Sequence, residues 1–197
     1  MKRILVWSVA LLTVLAFGKG SGRCNEWRIP VGISYISGVG DITDQYEDNL
    51  RADGYLTDSV EGLPVGISVQ PYYEFDSGLG IGFGLGPAML IFGDVDFFNL
   101  PINFCLRYAP MRKSKATVYF RTGLSYNIAN GDYVEDSQIG FIGAVGVELM
   151  RDKAVSFGIE AGYDSSTVEL EDRTTIDPTD TEEFEPVGFT IGIFAVF

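Results

Sequence analysis

Eight period-two stretches follow residue 26 and constrain the fold of this chain more than any other feature. In each stretch every second residue is large and apolar, and the residues between are mostly glycine, serine or an isolated charged residue. Side chains two residues apart share one face of a β-strand, so the pattern predicts eight strands that each carry one apolar face. The stretches cover residues 28–35, 63–75, 79–86, 100–108, 117–127, 138–149, 155–164 and 187–197.

The second face of these strands indicates what surrounds them. In the stretch 79–86, four large apolar residues alternate with four glycines. The outer face of a soluble β-sandwich carries polar residues such as lysine and glutamate. A face of small residues instead fits the narrow interior of a closed barrel whose apolar face contacts lipid. The sequence has almost no helical periodicity, so we predict an all-β fold, an eight-stranded antiparallel up-and-down transmembrane β-barrel.

The connections between the stretches alternate strictly in length. The short connections are residues 76–78, 109–115 and 151–153, and the long connections are residues 39–62, 92–97, 129–136 and 165–186. Outer-membrane barrels combine tight periplasmic turns with long outside loops. We therefore expect the short connections and both chain termini on the periplasmic side.

The N-terminus has the three parts of a secretory signal peptide: two basic residues, an apolar run over residues 4–17 and small residues over 18–22. The apolar run is shorter than the roughly 20 residues that a membrane-spanning helix needs. Cleavage after Ala16, Gly18 or Gly22 remains open. The predicted boundaries are 1–22 for the signal peptide and 23–197 for the barrel domain.

Isolated charges on the inward face are expected to lie in the periplasmic half of the lumen. Three are basic and three are acidic, which predicts that they pair with one another. The alternative is a polar path for ions or small solutes, but an eight-stranded barrel is only wide enough for its own side chains, so we favour a plugged lumen. The six residues are Arg28, Glu74, Arg107, Arg121, Glu148 and Glu160.

Proline and cysteine leave two local questions. Pro71 lies in the middle of the second predicted strand, where a closed barrel has no free edge, and we expect a local bulge there. Cys24 and Cys105 are the two cysteines of the chain, and no metal-binding spacing surrounds them. Whether these two cysteines form a disulfide remains open.

The sequence argues against catalysis and against a bound cofactor. It contains no histidine, so a relay of serine, histidine and an acid cannot be assembled. Its lysines lie in the leader or beside the short connections, which disfavours a serine–lysine site in the barrel wall. The glycine-rich run 78–86 is not followed by a lysine and a hydroxyl residue, so it does not resemble a phosphate-binding loop.

The last residues, VGFTIGIFAVF, alternate apolar side chains and end on Phe197. Together with the signal peptide, they resemble the broad family of small outer-membrane β-barrel proteins of the OmpA/OmpX type. The resemblance covers the whole chain and implies a monomer in the Gram-negative envelope. Its implied partners are outer-membrane lipid and the barrel-insertion machinery, which would read Phe197.

This family does not imply a single function. The leading interpretation is a non-enzymatic protein with a structural, envelope or surface-interaction role and acidic extracellular loops. The alternative is a narrow porin-like channel for small or apolar solutes. The formal net charge of −13 argues against a nucleic-acid partner.

Acidic residues concentrate in the four long connections, which hold 20 of the 27 in the chain and only two basic residues. A solvated polar loop surface is the simpler interpretation. A sharper hypothesis is that the first and last long connections recruit divalent cations that bridge to anionic lipid headgroups. No segment has the spacing of a calcium loop, so we predict no dedicated metal site and only diffuse binding. The residues that would carry it are Asp177, Asp180, Glu182 and Glu183.

Overall fold

The computed structural model describes residues 25–55, 60–92, 97–111, 113–174 and 180–197. The predicted signal peptide, residues 1–22, lies outside this range. No helix among the described residues is long and apolar enough to cross a membrane. The elements are β1 (Glu26–Arg28), β2 (Pro30–Ile36), α1 (Val39–Ala52), β3 (Glu61–Gly62), β4 (Val65–Val69), β5 (Tyr72–Glu74), β6 (Leu79–Leu85), β7 (Met89–Phe92), β8 (Phe97–Tyr108), β9 (Ala116–Gly131), β10 (Val134–Ser137), β11 (Ile139–Leu149), β12 (Ser156–Asp164), β13 (Val168–Glu171), β14 (Thr181–Phe184) and β15 (Gly188–Val196).

The strands close into an eight-stranded antiparallel barrel, as the sequence predicts. Short elements join into single barrel strands: β1 and β2 form the first, β3 to β5 the second, and β6 and β7 the third. The strands β8, β9, β11, β12 and β15 complete the ring, and β15 pairs back with β2. Phe197 and Ile29 exchange two backbone hydrogen bonds, of 3.0 and 3.2 Å, at this closing seam.

The alternating sequence pattern becomes two different surfaces. Along β6 the large apolar residues are exposed on the outside of the barrel and the glycines are buried inside. Phe83, for example, is 60% exposed. A Cβ atom added to Gly82 would lie 2.5 Å from the carbonyl oxygen of Pro71, so the wall admits only glycine there. The apolar exterior and tight interior are those of a membrane barrel.

Pro71 interrupts the second barrel strand without the bulge expected from the sequence. Val69 pairs with Leu85 on one side of the interruption, and Tyr72 pairs with Gly82 on the other. Both pairs belong to one register, so no extra residue is inserted. The Pro71 carbonyl still accepts a hydrogen bond from the Phe83 amide at 3.2 Å. The wall therefore tolerates this proline by losing a single backbone donor.

The first long connection is not a simple loop, and the expectation that helical periodicity was almost absent was wrong here. Residues 39–52 form α1, which buries Val39, Ile42, Tyr46 and Leu50. The spacing of these four residues places them along one helix face. The opposite face carries acidic residues exposed to solvent. An amphipathic helix therefore begins directly after the first barrel strand.

Two other long connections are also structured. The hairpin of β9 and β10 turns within residues 131–134, and β10, β13 and β14 form a separate antiparallel sheet of three strands. Residues 129–136 and 165–186 therefore contain strands where the sequence analysis expected open loops. The connections 76–78 and 151–153 remain turns between neighbouring barrel strands, as predicted, and so do the described residues of the connection 109–115.

Candidate functional site

Two layers of charged side chains lie in the lumen. The lower tier, near the short connections, is a buried ion network around Glu148. This carboxylate has no exposed surface. It accepts hydrogen bonds from Arg28 at 2.6 Å, Arg107 at 2.7 Å and Ser156 at 2.5 Å. Arg28 and Arg107 also lie 3.9 Å from the carboxylate of Glu74. Four of the six charges predicted to pair inside the barrel therefore meet in one cluster.

Arg151 joins this network, although its sequence position suggested an exposed turn. The side chain is 4% exposed and donates to both oxygens of Glu74, at 2.7 and 2.6 Å. The preceding residue, Met150, has a φ of 61°, which is uncommon for a residue other than glycine. This backbone turn directs Arg151 back into the barrel. Nothing in the alternation of the strands indicates such a turn.

The upper tier consists of the remaining predicted pair, Arg121 and Glu160. Arg121 donates to both oxygens of Glu160, once through Nε at 3.2 Å and once through Nη2. Tyr119 donates to Glu160 at 2.8 Å, and its ring lies 3.8 Å from the guanidinium carbon of Arg107. Tyr119 thus connects the two tiers. Cys105 accepts a hydrogen bond from Arg121 at 3.5 Å.

The mouth of the barrel at the long connections, which the sequence predicts to be the outer mouth, is covered by an apolar cap. The side chains of α1 pack on inward residues at the outer ends of the strands and on the three-stranded sheet. Tyr46 is fully buried and packs edge-to-face on Phe97 and Tyr133, with ring centroids 5.7 and 5.5 Å apart. The buried members of the cap are Ile36, Val39, Ile42, Tyr46, Leu50, Val60, Met89, Ile91, Phe97, Val168, Leu170 and Val187.

Polar contacts fix α1 in this position. Asn49 is fully buried, donates to the carbonyl oxygen of Glu171 at 2.6 Å and accepts from the amide of Arg173 at 2.8 Å. At the C-terminal end of the helix, Tyr133 donates to Asp53 at 2.9 Å. Burial, together with this hydrogen bond, raises the pKa of Tyr133 to about 12. The raised pKa extends the pH range in which the phenol is protonated and can donate to Asp53.

A small cavity lies within the lumen. It has a volume of about 60 Å³. Its wall includes Ser34, Ser68, Asn103, Asp164 and Thr190, and it borders the upper tier at Arg121 and Glu160. Pockets that hold drug-sized ligands are several times larger, on the order of 300–1,000 Å³. The cavity can contain a few waters or a small ion.

The proposed cation-binding carboxylates do not share one surface. Asp177 lies outside the described residues, and the other three positions are exposed. Glu182 and Glu183 are consecutive on β14 and therefore project to opposite faces. Glu183 pairs across the strands with Glu169, and both carboxylates accept from Gln138, at 3.1 and 2.5 Å. Within the described ranges, no group of three or more carboxylate or cysteine side chains is arranged to hold a metal ion.

The alternating pattern of the strands does not indicate the residues that cover and anchor the outer mouth. The spacing of the four buried residues of α1 could have revealed the helix, but the many acidic residues between them suggested a solvated loop. Asn49 had no recognisable signal, because its role depends on the backbone of a distant connection. Cys24, whose pairing with Cys105 the sequence leaves open, lies outside the described residues.

A closed antiparallel barrel of eight strands, apolar outside and polar inside, defines the class of transmembrane β-barrels. The fold is similar to that of the outer membrane protein OprG from Pseudomonas aeruginosa, at 13% sequence identity and a TM-score of 0.55, over 90% of this chain and 98% of that chain. It is also similar to Neisserial surface protein A (NspA), at 14% identity and a TM-score of 0.47, over 89% of this chain and 96% of that chain.

The likeness to OprG concerns the fold alone, because only 13% of residues are identical. No protein-family model matches this chain, and no curated protein matches its sequence. The fold nevertheless confirms the predicted class of small eight-stranded outer-membrane barrels. Its apolar exterior is that of a barrel that spans an outer membrane.

Proposed function

We propose that this chain is a non-enzymatic outer-membrane protein with a structural or surface-interaction role, and that its barrel does not conduct solutes. The observation that carries the proposal is the closure of the lumen at both ends. The ion network around Glu148 fills the half of the lumen near the short connections, and α1 with its apolar partners covers the mouth at the long connections. A lumen that is closed at both ends supports a structural role better than it supports a pore.

The outer surface is the part of the molecule available for interaction. The solvent-facing side of α1 carries Asp41, Asp44 and Asp48, and the three-stranded sheet adds exposed glutamates. A rigid acidic surface favours partners that carry positive charge, including divalent cations. We propose that diffuse cation binding at this surface links the protein to neighbouring anionic lipid headgroups. The barrel exterior contacts outer-membrane lipid, and the C-terminal strand ending on Phe197 serves recognition by the insertion machinery.

Calorimetry with calcium tests the cation part of this proposal. The detergent-solubilised protein should release or absorb measurable heat on calcium addition. A variant neutralised at four loop positions should lose most of that heat: Asp177→Asn, Asp180→Asn, Glu182→Gln and Glu183→Gln. A variant with the single change Asp152→Asn, at an exposed periplasmic turn, is the matched control. Equal heats in all three proteins would leave the acidic loops as simple solvated spacers.

The second candidate function is a narrow channel for small or apolar solutes. The observation that favours it is the cavity inside the barrel, which a fully packed plug would not leave. Planar-bilayer recordings of refolded protein distinguish the two functions. The occluded lumen predicts no single-channel steps. Steady steps in the wild-type protein would contradict the structural role and favour the channel.

A further inference from the structure

The strand β14 is an open edge of the three-stranded sheet. That sheet has the order β10, β13, β14, and no strand of the described residues pairs with β14 on its second side. At the other edge of the sheet, β10 contacts the barrel strand β9. Three of the four residues of β14 are exposed, namely Thr181, Glu182 and Glu183. The edge of β14 is therefore accessible to a partner strand.

The hydrogen bonds between β13 and β14 show which backbone groups lie at the open edge. The amide of Asp172 donates to the carbonyl oxygen of Asp180 at 2.9 Å. In an antiparallel pair, residues that point their N–H and C=O groups toward the partner alternate with residues that point them away. Because Asp180 faces β13, Thr181 and Glu183 point their backbone groups away from it. Within the described ranges these groups have no backbone partner, and such an edge is a template for another strand.

The side chains beside this edge form an acidic face. The even-numbered residues of β13 are buried in the apolar cap, so Glu169 and Glu171 project from the opposite face of the sheet. Glu183 lies directly opposite Glu169 across the strands, and Glu135 of β10 is hydrogen-bonded to Glu171. Among the described residues, Arg173 is the one basic side chain that pairs with these four glutamates. Like charges directly opposite each other are unfavourable in a sheet, so this face favours a positively charged partner.

The same charges exclude a second copy of this chain as the partner. Two β14 strands side by side would bring Glu182 and Glu183 of one copy close to the same residues of the other, and the carboxylates would repel each other. A strand with lysine or arginine at alternate positions has the opposite property. Peptides that add to a sheet edge gain affinity from main-chain hydrogen bonds and specificity from their alternate side chains.

We propose that β14 binds an extended basic segment of a partner protein as an antiparallel fourth strand, with its alternate basic side chains over Glu169 and Glu183. This proposal rests on the surface-interaction role given under the proposed function and names the class of partner. The partner residues opposite Thr181 and Glu183 carry the basic side chains and also exchange the backbone hydrogen bonds with β14. The partner residues between them point their N–H groups away from β14.

Fluorescence anisotropy with synthetic peptides and the detergent-solubilised full chain tests this proposal. The probe is a labelled peptide of alternating lysine and threonine, which should bind, and bind more weakly at high salt. Methylating the backbone nitrogens of its lysines blocks the edge that faces β14 and should weaken binding by about tenfold or more. Methylating the backbone nitrogens of its threonines blocks only the opposite edge. That peptide is the matched control and should bind as the unmodified peptide does.

Variants of the protein separate the contribution of the backbone from that of the charge. Thr181→Pro removes an outward N–H group without changing the charge and should weaken binding, whereas Thr181→Ala keeps the N–H group and should not. Combining Glu169→Gln with Glu183→Gln should also weaken binding, and Asp152→Asn, at an exposed turn, should not. Absence of binding, or equal binding of the three peptides, would overturn the proposal. Neither result would alter the closed lumen, which the planar-bilayer recordings test separately.

Discussion

Replacing Glu148 by glutamine should destabilise the folded barrel far more than a change at an exposed carboxylate. The substitution preserves the size of the side chain and removes its charge. Glu148 is fully buried and accepts charged hydrogen bonds from Arg28 and Arg107, with a third bond from Ser156. In the variant, the two buried guanidinium groups would keep only longer contacts among the described residues, at 3.9 Å to Glu74 and, for Arg28, at 3.6 Å to Glu26.

The expected magnitude follows from these contacts. A hydrogen bond to a charged group contributes about 1.5–3 kcal/mol, and Glu148 forms two with arginine. Glutamine retains one acceptor oxygen, so part of this stabilisation survives. Removing one partner from a buried ion pair usually costs about 3–5 kcal/mol, because it leaves a buried charge without compensation. We expect Glu148→Gln to lower the free energy of unfolding by about 3–5 kcal/mol.

Urea titrations of folding into lipid vesicles measure this loss. The midpoint should fall while the dependence on urea concentration stays the same, as expected for a change of stability alone. Asp152→Asn, whose surface partner Lys153 lies 3.8 Å away, is the matched control and should change stability by about 1 kcal/mol or less. A change near zero for Glu148→Gln would show that water reaches the network, and would refute the idea of a dry plug.

Three further predictions concern the cap, the closing seam and the outer sheet. Tyr46→Ala should lower the stability of the cap by about 3 kcal/mol and speed hydrogen exchange in α1. The barrel itself should still migrate differently on gels before and after boiling. Unchanged exchange in α1 would contradict the packing role of Tyr46. Deleting Phe197 should impair assembly in the outer membrane far more than deleting the exposed Thr174, and equal effects would refute the role of the terminal strand. A hydrogen bond with Glu171 raises the pKa of Glu135. The folded state therefore binds this proton more tightly than the unfolded state. The three-stranded sheet should exchange its backbone amide hydrogens more slowly as the pH falls through that pKa, and faster as the pH rises. Glu135→Gln should remove this pH dependence of hydrogen exchange.

The barrel was predictable because lipid imposes a simple rule on every strand. Each outward side chain must be apolar, and each inward side chain must fit a narrow interior, so the period-two pattern extends through all eight strands. The stretch 79–86 shows the rule at its clearest, and β6 follows it residue by residue. The pairing of inward charges was predictable for the same reason, because alternation alone decides which charges face inward.

The identities of the contacts were not predictable from the pattern. Arg151 reaches Glu74 only because Met150 adopts a positive φ at the turn. The cap depends on α1 and on strands beyond the bilayer, where lipid no longer imposes a period of two. Which arginine meets which glutamate depends on the register of the strands, and that information lies in the tertiary structure.

Fractionation of cells followed by gel electrophoresis with and without boiling tests the central claim most directly. A closed transmembrane barrel predicts that the mature protein is recovered with outer membranes and migrates differently before and after boiling, because the hydrogen-bonded ring resists detergent at room temperature. Recovery of the protein as a soluble monomer without detergent, or identical mobility in both samples, would contradict the account.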